Sequence, residues 1–200
     1  MNSDFWDTRY SEDNFIYGKE PNTQFKSFID RFSIPGKIFL PAEGEGRNGV
    51  YAALKGWEVT ATDISKQARE KALRLASENG VSLLYHHSDI LSLDLKNEYF
   101  DVIALVFLHL VPSRRFQVFL KLLNSLKTGG TFFLVGFHND QVNYKSGGPT
   151  KQELLYTPAQ LKNELSGLEV LQLEEFEHIL TEGKYQNGLA RLVLLEGVKI

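Results

Sequence analysis

Lys37-Ile38-Phe39-Leu40-Pro41-Ala42-Glu43-Gly44-Glu45-Gly46-Arg47-Asn48-Gly49 is the stretch on which the reading of this chain turns. An apolar run breaks into a glycine-rich turn, which leads into a helical pattern with Val50, Ala53 and Leu54 on one face. Strand, glycine turn and helix, in that order, build the nucleotide site of α/β proteins. Glycines let the backbone approach a ligand closely, and the first N–H groups of the helix face any anion placed before it. Gly44, Gly46 and Gly49 match G-x-G-x-x-G literally, which is the dinucleotide fingerprint.

The pattern continues outward on both sides. Trp57 to Thr62 reads as a second strand ending in Asp63, and Ser65 caps a helix with Ala68, Ala72, Leu73 and Ala76 on its inner face, stopped by Asn79-Gly80. Val81 to Tyr85 gives a short third strand before His86, His87, Ser88 and Asp89. Asp101 to Phe107 is apolar after its first residue, as a strand buried on both faces should be. Pro112 suits a helix start, with Phe116, Phe119, Leu120 and Leu123 as the buried stripe, and Gly129-Gly130 turns the chain into a strand from Thr131 to Val135. Residues 138–156 read as a long irregular loop, and Thr157-Pro158-Ala159-Gln160 as a capping box with proline at the first helical position. Leu168 to Leu180 and Leu189 to Val198 read as an antiparallel hairpin. Upstream, Phe25, Phe28, Ile29 and Phe32 mark an amphipathic helix with Thr23 as N-cap, whereas residues 1–22 are aromatic-rich without periodicity. The expected fold is α/β, a doubly wound Rossmann-like seven-stranded sheet, mostly parallel with a C-terminal antiparallel hairpin. Residues 1–200 form one expected domain, with 1–35 as an N-terminal lid arm and helix.

Bulk properties narrow the classes. A chain of 200 residues suffices for one large core. A net charge of -3 offers no basic surplus for a phosphate backbone, so a nucleic acid partner is not expected. Cysteine is absent, which removes disulfides and thiolate chemistry and fits a reducing cytoplasm. The N-terminal Met1-Asn2-Ser3-Asp4-Phe5-Trp6-Asp7 lacks the basic and apolar regions of a signal peptide, and the longest apolar run, Val102 to Val111, is too short for a membrane span. A cytoplasmic protein, monomeric or weakly dimeric and without a membrane partner, is the expectation.

Asp63 follows the glycine turn at about the spacing of a ribose-binding acid, which suits a nicotinamide dinucleotide and S-adenosylmethionine (SAM) alike. Three features favour SAM. Glu43 and Glu45 stand in the turn where a dinucleotide places its anionic pyrophosphate, whereas SAM is cationic at its ammonium and sulfonium. Asp89 ends a third strand, where an acid can accept an adenine amino group. The terminal hairpin follows the fifth strand where a dinucleotide enzyme usually continues its parallel sheet. Tyr51-x-x-x-Lys55 matches the pair of short-chain dehydrogenases, but it lies on the helix directly after the glycine turn and reads as coincidence.

Trp6-Asp7-x-Arg9-Tyr10, Phe15-x-Tyr17-Gly18-x-x-Pro21-Asn22, Ala42-Glu43-Gly44-Glu45-Gly46-Arg47-Asn48 and Ser146-Gly147-Gly148-Pro149 together resemble class I SAM-dependent methyltransferases, more closely the tellurite-resistance and thiopurine-methyltransferase-like branch. The resemblance implies seven strands in the order 3-2-1-4-5-7-6 with strand 7 antiparallel. It also implies SAM contacts at Ala42, Glu43, Gly44, Glu45 and Asn48, then Asp63 with Ile64, Asp89 with Ile90 and Leu91, and Val106 with Phe107. The family's usual acid of the first motif falls on Leu40 and its first glycine on Ala42, so Glu43 or Glu45 is expected to take that acid's place.

The expected activity is methyl transfer from SAM to a small-molecule acceptor by in-line displacement, in which alignment and exclusion of water are the main tasks. An NAD(P)-dependent reductase and a non-catalytic SAM-binding protein are the alternatives. His109, at the carboxyl end of the fourth strand, is the acid/base candidate; Tyr10, Tyr17, Arg114 and Tyr144 are candidate acceptor contacts. No metal is expected, since His86 and His87 are adjacent and His109, His138 and His178 are scattered.

Overall fold

The apolar run before the glycine turn becomes β1 (Lys37–Pro41), an inner strand of the sheet in a computed structural model that describes residues 3–200. Helix α3 (Arg47–Leu54) leads to β2 (Glu58–Asp63), α4 (Lys66–Glu78) to β3 (Leu84–His87), and β4 (Phe100–Val106) precedes α5 (Pro112–Ser125). The remaining strands are β5 (Leu126–Phe137), β6 (Leu168–Thr181) and β7 (Asn187–Lys199), with α6 (Pro158–Glu164) before β6. The seven strands lie in the order β3-β2-β1-β4-β5-β7-β6. The first five are parallel, and β7 runs antiparallel to both β5 and β6.

Alternation along the strands divides the core in two, because successive side chains point to opposite faces. Ile38, Leu40, Val102 and Phe133 face the side of α3, α4 and α2 (Thr23–Ile29), whereas Phe39, Ile103 and Phe132 face α5 and α6. Phe28 stacks on Phe133 at 4.5 Å between ring centroids, and Phe39 stacks on Phe100 at 5.2 Å. A third, smaller cluster joins Tyr10, Ile16 and Ala68 with Trp6, Tyr17 and Tyr185, and it fixes the N-terminal arm to α4 and to the β6–β7 loop.

Several local expectations shift. The arm, aperiodic in sequence, opens with a helix, α1 (Ser3–Arg9). Seven residues are too few to show a periodic stripe, and so short a helix depends on tertiary docking. Trp6 and Tyr10, one turn apart, stack at 5.6 Å. Met1 and Asn2, part of the segment considered for a signal peptide, lie outside the described residues. Asn22 rather than Thr23 caps α2, its side chain accepting the Phe25 N–H at 3.0 Å. That helix ends at Ile29, and Phe32 reaches Phe28 and Trp57 from the following turn. Strand β3 starts at Leu84 rather than Val81, because its pairing with β2 runs from Thr60↔Leu84 to Asp63↔His87. Helix α5 is rotated relative to its apolar stripe: Phe116 and Leu120 are exposed, while Arg115, Val118, Phe119 and Leu122 are buried. On the inward face the buried Arg115 meets the half-buried Glu164 carboxylate through two nitrogens at 2.7 Å, so that face must carry a cation as well as apolar side chains. In α3, Leu54 is likewise exposed and Ala52 takes the inner position. The capping box of α6 is present as expected.

Candidate functional site

The glycine turn owes its shape to three residues in the left-handed region, Ala42 (φ 54), Gly44 (φ 64) and Gly46 (φ 88). Gly46 tolerates no side chain, since a Cβ there would come within 2.6 Å of Ala72 Cβ on α4. It is also the N-cap of α3 and supplies no side-chain bond, so the first N–H groups of that helix must find another acceptor. Glu43 provides it: one carboxylate oxygen accepts the Gly49 N–H at 2.7 Å, and the other accepts from Asn48 Nδ2 at 3.4 Å. Burial lifts the Glu43 carboxyl to about 7, against the favourable pull of those N–H groups.

Asp63 at the end of β2 accepts the Ser65 N–H at 2.8 Å and the Gly44 N–H at 3.1 Å. It fastens the turn to the second strand, and burial raises its carboxyl to about 6. Ile64 follows, its carbonyl meeting His87 Nε2 at 3.0 Å. Asp89 accepts the Leu91 N–H at 2.9 Å and so caps the short turn Ile90–Ser92. Val106 ends β4, and Phe107 follows with φ 55, its ring 4.7 Å from that of Phe137. All these cofactor candidates except Leu91 line one cavity of about 510 Å³, which opens at the carboxyl ends of β1, β2 and β4. Ligands of open α/β sheets bind at that edge.

Other expected roles change. Glu45 points away to the arm, accepting the Ile16 N–H at 2.8 Å and pairing with Lys71 at 2.8 Å in a buried salt bridge. It therefore anchors residues 16–17 rather than presenting a free charge to a ligand. His109 is buried with both ring nitrogens engaged: Nδ1 donates to the Leu154 carbonyl at 2.8 Å, and Nε2 accepts the Phe137 N–H at 3.3 Å. Burial lowers it to about 4, so a neutral ring lines the cavity wall without a free nitrogen for proton transfer. Arg114 lines the cavity but is paired with Asp89. Tyr144 lies outside the cavity lining and donates to Glu177; from that loop Gly148, Pro149, Thr150 and Lys151 line it instead. Tyr10 and Tyr17 line the cavity, and Tyr10 is packed so closely that a Cβ on Gly44 would lie 2.8 Å from its hydroxyl.

The network that holds the arm down is invisible to the sequence reading. Arg47 pairs with Glu182 at 2.5 Å and donates to the Tyr17 carbonyl at 3.1 Å, while Asn22 Nδ2 donates to Glu182 at 2.7 Å. Arg9, which the sequence shows only as part of the arm motif, and Tyr185 also line the cavity. One signal was available: Lys71 sits among the apolar inward positions of α4, where an unpaired cation is not tolerated. Among the described residues, no group of three His, Asp or Glu could hold a metal ion, and no helix is long and apolar enough to cross a membrane.

Comparison with known proteins agrees with this geometry. Residues 41–130 match a family model described as a methyltransferase domain, while no curated protein matches the chain. Among solved structures, a protein studied for the conversion of a disulfide bond into a thioacetal group during echinomycin biosynthesis superposes with a TM-score of 0.78 at 15% identity, covering 98% of this chain and 92% of its own. TehB from Haemophilus influenzae gives 0.73 at 17% identity over 99% of this chain and 67% of its own. A SAM-dependent methyltransferase from Methanosarcina mazei gives 0.72 at 17% over 90% of this chain and 99% of its own. Residues 41–130 are thus similar to a methyltransferase domain, and the chain as a whole shares its fold with a solved SAM-dependent methyltransferase.

Proposed function

We propose that this protein transfers a methyl group from SAM to a small-molecule acceptor bound beneath the N-terminal arm. The observation that carries the reading is the Glu43 carboxylate on the Gly49 N–H, at the edge of the cavity. A dinucleotide needs the first N–H groups of that helix for its pyrophosphate. A phosphate about 4 Å from the Glu43 carboxylate would be opposed by about 4 kcal/mol at an effective dielectric of about 20. For a cationic ligand the same term changes sign and favours binding.

The residues fit SAM. Glu43 and Asp63 are buried carboxylates backed by N–H groups, without a cationic side-chain partner in a hydrogen bond or ion pair among the described residues. Gly44 keeps the turn free of side chains, and Ile90, Val106 and Phe107 offer apolar walls. Bound SAM supplies an electrophilic methyl group on a positively charged sulfur. The chain's own task is to hold and orient both partners and to exclude water. The arm, fastened through Glu45, Arg47 and Glu182, serves as the cover. His109 serves as a positioning residue, joining Leu154 and Phe137 in the wall.

Within the methyltransferases, the arm motifs and Ser146-Gly147-Gly148-Pro149 support the tellurite-resistance and thiopurine-methyltransferase-like branch. The Asp7 carboxylate accepts from Ser65 Oγ at 2.6 Å, tying the arm to the loop after Asp63. Calorimetric titration with S-adenosylhomocysteine and with NAD(P) tests the cofactor; binding of S-adenosylhomocysteine alone is the expected result, and binding of NAD(P) alone refutes the reading. Label transfer from methyl-labelled SAM to an acceptor panel then separates catalysis from cofactor binding alone.

A further inference from the structure

The charges around the cavity do not cancel locally. Arg47 is matched by Glu182, Arg114 by Asp89, and Glu45 by Lys71. That leaves Glu43 and Asp63 at the glycine turn, where a cationic cofactor fits, and Arg9 with Lys151 on the arm and the neighbouring loop. Among the described residues Arg9 has no carboxylate partner; Nη1 donates to the Tyr17 hydroxyl at 3.2 Å. Its guanidinium carbon lies 4.1 Å from the centroid of the Tyr185 ring, 4.9 Å from that of Phe5 and 5.6 Å from that of Trp6. Packing on rings restrains a side chain that is otherwise costly to order, and a guanidinium retains further N–H donors in a planar fork that matches a carboxylate. Phe5 is 48% exposed although it lines the cavity, so apolar ring surface is available beside that cation.

We propose that the methyl acceptor is a planar, ring-bearing carboxylate, its ring packed among the aromatic side chains of the arm and its carboxylate held by Arg9. This inference rests on the reading of the cavity as a SAM-dependent acceptor site. A neutral aromatic would leave the Arg9 charge unanswered. A small inorganic anion would leave the aromatic surface uncovered. A molecule combining the two answers both, and its negative charge complements a cationic cofactor in the same cavity.

The test is calorimetric titration of the protein saturated with S-adenosylhomocysteine, using benzoate, cinnamate, 2-naphthoate and indole-3-acetate, each beside its neutral amide. The expected result is that at least one acid binds about tenfold or more tightly than its amide, as a charge-assisted hydrogen bond should give. In Arg9→Gln that preference should fall to about one, and in Arg9→Lys it should return in part, because charge is restored without the fork. If acids and amides bind alike, if none binds at millimolar concentration, or if Arg9→Gln keeps the preference, the inference is overturned. Failure of S-adenosylhomocysteine itself to bind would instead overturn the cofactor reading, so the two failures are distinguishable. Thermal melting of Arg9→Gln beside the wild type identifies a merely structural effect, which would weaken acids and amides together and leave their ratio intact, again overturning the inference.

Discussion

Glu43→Gln removes one charge and leaves a side chain of nearly the same volume beside the Gly49 N–H. In the folded chain burial raises the carboxyl from 4.5 to about 7, so ionising it costs more in the native state than in the unfolded one. The sign follows from that. The native state prefers the protonated acid, stability declines as pH rises from 4.5 through about 7, and the full cost is present at pH 8. At about 1.4 kcal/mol for each pH unit of displacement, that cost is about 3 kcal/mol at pH 8 and under about 1 kcal/mol at pH 5. Glutamine escapes it. For a chain of this size about 3 kcal/mol corresponds to a melting point higher by roughly 6 °C or more. The same substitution removes the carboxylate that favours a cationic group, so S-adenosylhomocysteine, which keeps the ammonium of SAM, should bind at least about tenfold more weakly. Wild-type affinity should itself tighten by about tenfold from pH 6 to 8, as Glu43 ionises, and the Glu43→Gln variant should flatten that dependence. Differential scanning calorimetry at pH 5 and 8, with titration calorimetry at both, reads all three effects. A variant that melts lower at both pH values, or that binds S-adenosylhomocysteine as the wild type does, refutes the reasoning.

Lys71→Met leaves the Glu45 carboxylate buried without its cation and should cost about 3–5 kcal/mol in urea unfolding, whereas the double variant with Glu45→Gln should recover part of the loss. Gly46→Ala puts a Cβ at φ 88 and 2.6 Å from Ala72 Cβ, so a loss of about 2–4 kcal/mol together with weakened S-adenosylhomocysteine binding is expected by denaturation and calorimetry. The neutral His109 ring, lowered to about 4, should contribute no inflection to the rate profile near neutral pH; its native state binds fewer protons than the unfolded state, so stability should fall as pH drops from 6.5 toward about 4. A His109-dependent inflection near neutrality, removed by His109→Gln, would restore the ring as a proton-transfer group. Among the described residues the buried Gln186 Oε1 has no hydrogen-bond partner, so Gln186→Leu should melt no lower than the wild type; a loss above about 1 kcal/mol would mean that this oxygen is satisfied.

The architecture is legible in the chain before it folds. Strand, glycine turn and helix, the continuous apolar run of β4, the caps at Ser65 and Thr157 and the two long terminal strands are written in neighbouring residues, and local periodicity and turn chemistry act over just those distances. The carboxyl-edge positions of Ala42, Gly44, Asp63, Asp89 and Phe107 followed for the same reason, because strand ends can be read locally. Folding alone assigns each polar side chain its partner. Glu45 and Lys71 are 26 residues apart, His109 and Leu154 are 45 apart, and Arg47 and Glu182 are 135 apart. A pattern of residue types does not specify such pairings, since any carboxylate satisfies any cation that folding brings near it. Of the two glutamates in the opening stretch, the fold set Glu43 on the first turn of α3 and gave Glu45 to the arm, because the Gly49 N–H reaches the first and Lys71 reaches the second from α4.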